Sequence, residues 1–174
     1  MPAILRRILL SPGEPPSLSQ LAATFPSLPS SPSYITFCSR DGILVVEKDL
    51  NTAVIHSSSD FLAVTNHDVQ IESWSPEHWS ATLKQGPGLM GIDTLLEDSV
   101  ERKECITRMF RESSLGRSPR FEDVKAWITT EPLLNGATHF SCIMDPGTEG
   151  GGLVWACAYE TPADIDEDEG SSFE

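Results

Sequence analysis

Between Ser33 and Thr65 the chain contains four short runs rich in β-branched and aromatic residues: SYITFC, GILVVEK, TAVIHS and FLAVT. They are separated by RDG, DLN and SSD, which are too short for a helix. Strands joined by three residues double back on their neighbours, because a parallel partner needs a crossover of a dozen or more residues. The spacing therefore predicts an antiparallel meander. It also constrains the rest of the chain, whose helices must pack on grouped strands instead of alternating with them.

The flanking segments agree with that constraint. Residues 1–10 and 17–25 read as helices separated by SPGEPP, and SLPSSPS is a Pro/Ser loop. Residues 69–97, with WSPEHW and KQGPGLMG, show no clear period and are expected as a long polar loop. A helix is predicted from about Ser99 to Arg111, because Arg102, Cys105, Ile106, Met109 and Phe110 share one helical face. A second begins at SPRFEDV, with Ser118 as N-cap, Pro119 in the first turn, and Phe121, Val124, Trp127 and Ile128 as the inner stripe. After TTEPLLNG come two more strands, THFSCIM and LVWACAY, joined by DPGTEGG. The fold class expected is α+β with a mainly antiparallel sheet.

At 174 residues the chain has the length of one domain, and 13 prolines with 12 glycines imply many loops. It contains no apolar run long enough for a transmembrane helix. The opening MPAILRRILLSPG is broken too early for a secretory signal, so a cytoplasmic location is expected if the chain is complete as given. A net charge of -14 argues against a nucleic-acid surface. Half of that imbalance comes from ETPADIDEDEGSSFE, seven acidic residues with no basic one, and residues 163–174 are expected to be disordered. Cys38, Cys105, Cys142 and Cys157 lack metal-ligand spacing, so no metal or cofactor is expected. Each sits in an apolar context and reads as a small buried hydrophobe.

Two polar residues stand out against apolar surroundings. FLAVT ends on Asn66, His67 and Asp68, where a chain leaving a sheet needs only Gly, Pro or Ser. Asparagine at a strand end commonly bonds to nearby backbone. Its amide can also donate to a developing oxyanion. Arg102 heads an otherwise apolar helical face, where it must snorkel to water or find an acceptor.

TNHD, then SVERKE opening a helix, then WITTEPLLNGATHFSCIMDP together resemble the acid ceramidase and N-acylethanolamine acid amidase family. PPSLSQLAATFPSLPSSPSYITF is similar to the helix and strand that precede the family's asparagine, so the resemblance covers roughly residues 15–160. It implies an N-terminal-nucleophile hydrolase with a four-layer αββα fold. In that family a self-cleaved precursor exposes a cysteine whose thiol attacks a lipid amide, with its own α-amine as base. Asn66 would then hold the oxyanion and Arg102 would support the site electrostatically, both facing one cleft.

The departure concerns the nucleophile. The family's cysteine, with an arginine and aspartate soon after it, belongs upstream of the matched motifs, and no such stretch stands there. Cys38 in TFCSRDG falls on a predicted strand and has no Arg-x-x-Asp at the right distance. The expected organisation is N-terminal helices and a Pro/Ser loop over 1–30, the C-terminal part of an amidase domain over 31–160, and an acidic tail over 161–174. Such a chain would act on an N-acyl lipid only when completed by a nucleophile-bearing segment, and would pair with a partner chain or itself through an exposed sheet edge. The alternative is a non-catalytic interaction or scaffold module with an acidic tail. Acyltransferases and penicillin-acylase-like enzymes, which share the fold and the asparagine, are a further reading.

Overall fold

The computed structural model describes residues 2–10, 12–85, 92–113, 118–148 and 152–159. It is mixed α+β, with small antiparallel sheets and five α-helices among the described residues. The acidic tail expected over 161–174 lies outside the described residues. The chain divides into two compact units. One comprises Met1–Val64 with Asp68–Gln70, and the other Thr65–His67 with Ile71–Glu174.

In the first unit, β1 (Ser33–Ser39), β2 (Gly42–Lys48) and β3 (Ala53–Ser58) form an antiparallel sheet in the order β1-β2-β3. Ser33 lies opposite Lys48 and Ser39 opposite Gly42, so the hairpin turn sets the register. Alternation sends Ile35, Leu44 and Val46 to one face, where they pack with Leu21 and Phe25. Those last two come from α2 (Leu18–Thr24) and the turn after it, and Ile4, Leu5 and Ile8 of α1 (Pro2–Leu9) cover the rest. α2 begins where the sequence marks it: Ser17 Oγ accepts the Gln20 N–H, and Gln20 Oε1 accepts the Ser17 N–H in return.

Lys48 is buried at the end of β2, with its ammonium donating to the carbonyls of Asp49, Leu50 and Thr52. These bonds close the β2–β3 turn. At the other hairpin a Cβ on Gly42 would lie 2.8 Å from the Ser58 carbonyl oxygen, so the close approach of β3 excludes a side chain there.

Several sequence expectations are corrected. FLAVT is not a strand: residues 61–65 belong to neither sheet. Ser58 Oγ accepts the N–H groups of Asp60 and Phe61, and this local turn leads the chain away from the ladder. Cys38 does lie on β1 but is exposed, because strand alternation puts it on the face opposite Ile35 and Phe37. Desolvation holds its thiol above the ordinary value, which keeps it protonated at neutral pH. Cys105 is buried, while Cys142 and Cys157 are half-buried.

In the second unit, the segment expected as a long loop contains a 3-10 turn (Val69–Ser73, shared with the first unit) and helix α3 (Pro76–Gln85). Ser75 caps α3: its Oγ accepts the His78 N–H, its carbonyl accepts the Trp79 N–H, and Pro76 occupies the first helical position. α4 runs over Ile92–Ser113 and starts seven residues before the predicted Ser99. Arg102 is therefore mid-helix and not in the first turn. α5 (Phe121–Ile128) begins after Arg120, whose N–H donates to Asp123 Oδ2, so the cap falls two residues beyond Ser118. Phe121 is 41% exposed and does not join the inner stripe.

β4 (Phe140–Asp145) and β5 (Gly152–Ala158) make a second, two-stranded antiparallel sheet. The Lys125 ammonium of α5 stands 5.6 Å from the centre of the Trp155 ring on β5, a cation–π contact tying helix to sheet.

Candidate functional site

Asn66 and His67 sit in a bend that is held to α4 by one serine. Ser99 Oγ lies 2.7 Å from the Asn66 backbone nitrogen and 2.9 Å from His67 Nδ1. Ser99 is fully buried and His67 is 3% exposed, so the bond between them does not compete with water, while the bond to Asn66 is part-buried. Thr65 Oγ1 approaches the same Nδ1 at 3.2 Å. On the far side of the ring, Nε2 lies 3.1 Å from Glu72 Oε1, and the Lys103 ammonium closes on that same carboxylate oxygen.

The charge pattern along this chain is consistent. Partial burial pushes the Glu72 carboxyl up, but hydrogen bonds from Lys103 and His67 outweigh it and hold the group below its ordinary value. Glu72 is therefore an anion at neutral pH, and Lys103 supplies its countercharge. Trp79 Nε1 donates to the Ile71 carbonyl, and Trp74 packs edge-on against both His78 and Trp79. These contacts fix the turn that carries Glu72.

Serine, imidazole and carboxylate in this order have the bond lengths of a nucleophilic triad. Burial excludes that use here: with no exposure, Ser99 Oγ cannot meet a substrate. The cluster holds backbone in place.

Asn66 is itself exposed, and among the described residues its side-chain amide has no hydrogen-bond partner. Arg102 is half-buried; its Nε donates to the Asp98 carbonyl one turn back on α4 at 3.2 Å. Its terminal nitrogens have no ion pair among the described residues. Ser99 and Arg102 are three residues apart, so they are neighbours on the surface of α4. Asn66 is thus anchored to α4 about one turn before Arg102. Asn135, in the TTEPLLN segment, is a turn residue: its Oδ1 accepts the Ala137 N–H and its N–H donates to Thr138 Oγ1.

The next residues after His67 belong to the first unit and form a separate network. Asp68 Oδ1 accepts the Tyr34 hydroxyl at 2.8 Å, and Glu47 Oε1 accepts the Val69 N–H at 3.1 Å. Burial, then the Asp68 bond and charge, push the Tyr34 phenol well above its ordinary range. His56 Nε2 lies 3.2 Å from Glu47 Oε1, but without hydrogen-bond alignment; the contact is an ion-pair distance only. The first unit also has a groove of about 690 Å³ lined by Leu18, Ala22, Ile43, Ile55 and Ser57 to Ser59. No sequence-predicted site residue lines it.

Sequence reasoning singled out Asn66 and Arg102 but missed His67, Ser99, Glu72 and Lys103. The available signal was a serine on the inner side of a helical stripe, which reads locally as a cap. Among the described residues no group of His, Cys, Asp or Glu could hold a metal ion, and no helix is long and apolar enough to cross a membrane. No protein-family model, curated protein or solved structure matches the chain.

Proposed function

We propose that this chain supplies the oxyanion side of an acid-ceramidase-like amidohydrolase that cleaves the amide of N-acyl lipids. The observation that carries the reading is the state of Asn66: its backbone is fixed by a buried hydroxyl, while its side-chain amide is exposed and unengaged. An oxyanion donor needs that combination, since preorganisation lowers the reorganisation cost and a free N–H is needed to meet the charge. The terminal nitrogens of Arg102, on the same helix as the anchor, would add positive charge beside the site. In full, the reading places both units in an αββα amidase fold.

In this mechanism a thiolate adds to the amide carbon and the carbonyl π electrons move onto oxygen, where the Asn66 N–H groups stabilise them. Collapse expels the amine, which takes a proton from the base, and water then hydrolyses the thioester. The attacking cysteine comes from a separate segment: Cys38 is protonated on a strand, and Cys105 is buried inside α4. Residues 1–174 alone should therefore show no turnover of ceramide or N-acylethanolamine at any pH, because stabilising an oxyanion does not replace the attack that forms it.

The test is reconstitution. Adding a nucleophile-bearing segment of the family, fused or in trans, should restore hydrolysis, and Asn66→Ala in that assembly should lower turnover roughly a hundredfold or more. Hydrolysis by the isolated chain that Cys38→Ser abolishes would overturn the assignment of the nucleophile. Restored activity indifferent to Asn66→Ala would overturn the assignment of the oxyanion donor.

A further inference from the structure

The protons in the buried chain can be assigned by elimination. Ionised Glu72 only accepts, so His67 Nε2, at 3.1 Å, must carry the hydrogen between them. In the neutral ring Nδ1 is then a bare acceptor. The group that donates to it is the Ser99 hydroxyl at 2.9 Å, with Thr65 Oγ1 further away at 3.2 Å. With its one hydrogen committed to His67, Ser99 Oγ turns a lone pair to the Asn66 N–H at 2.7 Å. The order is Asn66 N–H to Ser99 Oγ–H to His67 Nδ1, and His67 Nε2–H to Glu72, with Lys103 behind it. Every member is satisfied, and the direction of the Ser99–His67 bond depends on the protonation of the ring.

We propose that His67 is a proton-responsive positioning residue for Asn66, acting through Ser99. A second proton on the ring reverses one bond: Nδ1–H must now donate, and its nearest partner is Ser99 Oγ. Two donors, Nδ1–H and the Asn66 N–H, then share the two lone pairs of one oxygen, and the charged ring is the stronger claimant. The Ser99 hydrogen loses its acceptor and, with no water in reach, must turn to a carbonyl of its own helix. The anchor on Asn66 weakens, and its side-chain amide loses its fixed placement. Small displacements of an oxyanion donor are costly because its advantage lies in preorganisation.

The charged groups in contact with the ring are Glu72 and, through it, Lys103; Asp98 and Arg102 flank Ser99 along α4, and Asp68 is engaged by Tyr34. His67 and Ser99 touch no reacting atom; they act through Asn66.

This inference rests on Asn66 as oxyanion donor, but its test does not measure catalysis. In the full ¹⁵N-labelled chain, nuclear magnetic resonance of the His67 ring should show the neutral form protonated at Nε2 and bare at Nδ1. The protection factor of the Asn66 amide against hydrogen exchange should fall about tenfold as the ring takes its second proton, the size expected for losing one hydrogen bond. In His67→Asn the amide oxygen still accepts the Ser99 hydroxyl but cannot titrate, so protection should stay high and lose this pH step. A neutral ring protonated at Nδ1 would overturn the proposal in the unmutated chain, whether or not the variant folds. So would an Asn66 amide whose protection ignores the ring's charge. If these measurements succeed while reconstituted turnover ignores Asn66→Ala, the positioning device stands and the amidase reading fails.

Discussion

Replacing Ser99 by alanine removes one oxygen atom from a fully buried site, and two effects of opposite sign follow. Alanine is the better helix former, which returns about 0.5 kcal/mol at a mid-helix position. Against that, the Asn66 N–H loses its acceptor, while His67 Nδ1 keeps Thr65 Oγ1 at 3.2 Å, so one group is left without a partner. A buried group left unsatisfied costs about 1–3 kcal/mol. The hydrogen-bond loss outweighs the propensity gain, for a net destabilisation of about 1.5 kcal/mol. In a chain of this size that corresponds to a melting point lower by about 3–6 °C. The assay is a thermal melt of Ser99→Ala and the unmutated chain near neutral pH, followed by tryptophan fluorescence. Trp74 and Trp79 pack against the turn that carries Glu72, so the signal reports on this region. A variant as stable as the parent, or more stable, would show that propensity dominates and that the hydroxyl makes no structural bond.

Lys48→Met keeps the buried stem but leaves three carbonyls without a donor; it should lower stability by about 1–3 kcal/mol and expose the β2–β3 turn to proteolysis, and unchanged cleavage there would count against the clamp. Gly42→Ala should cost about 1–3 kcal/mol by denaturant unfolding, because its Cβ would meet backbone at 2.8 Å, and a neutral result would mean β3 can withdraw freely. Because the folded-state pKa of Glu72 is depressed, its contribution is complete above the ordinary carboxylate value of about 4.3 and is lost as pH falls through the lower folded value. Glu72→Gln should therefore flatten the acid limb of the stability curve, and an unaltered limb would refute that linkage.

What was legible in the chain was what neighbours in sequence decide. The β1–β2–β3 meander follows from turns too short for any other connection, and the Ser17 capping box needs only residues three apart. α3 was missed within the expected loop: SPEHW carries the same Ser-Pro start that marked the α5 region, but tryptophans and glycines around it obscured the period. FLAVT misled because an apolar run needs a partner to become a strand, and Ser58 turns it away before it finds one. The start of α4 was misplaced for a related reason. Ile92, Leu95, Leu96 and Ser99 follow helical spacing, yet a serine on that stripe reads as a cap and not as an interior residue.

The sequence by itself determined the fold class, the pairing of β1, β2 and β3, and the position of Asn66 at the end of an apolar run and of Arg102 on an apolar helical stripe, because propensity, period and loop length are local quantities. It did not contain the state of Asn66. That depended on Ser99, 33 residues away, on a ring whose proton is placed by Glu72, and on an ammonium beyond it. Each of those residues is ordinary in its own segment. They become a single hydrogen-bonded chain only where folding excludes water, because there every donor must meet an acceptor and each assignment settles the next.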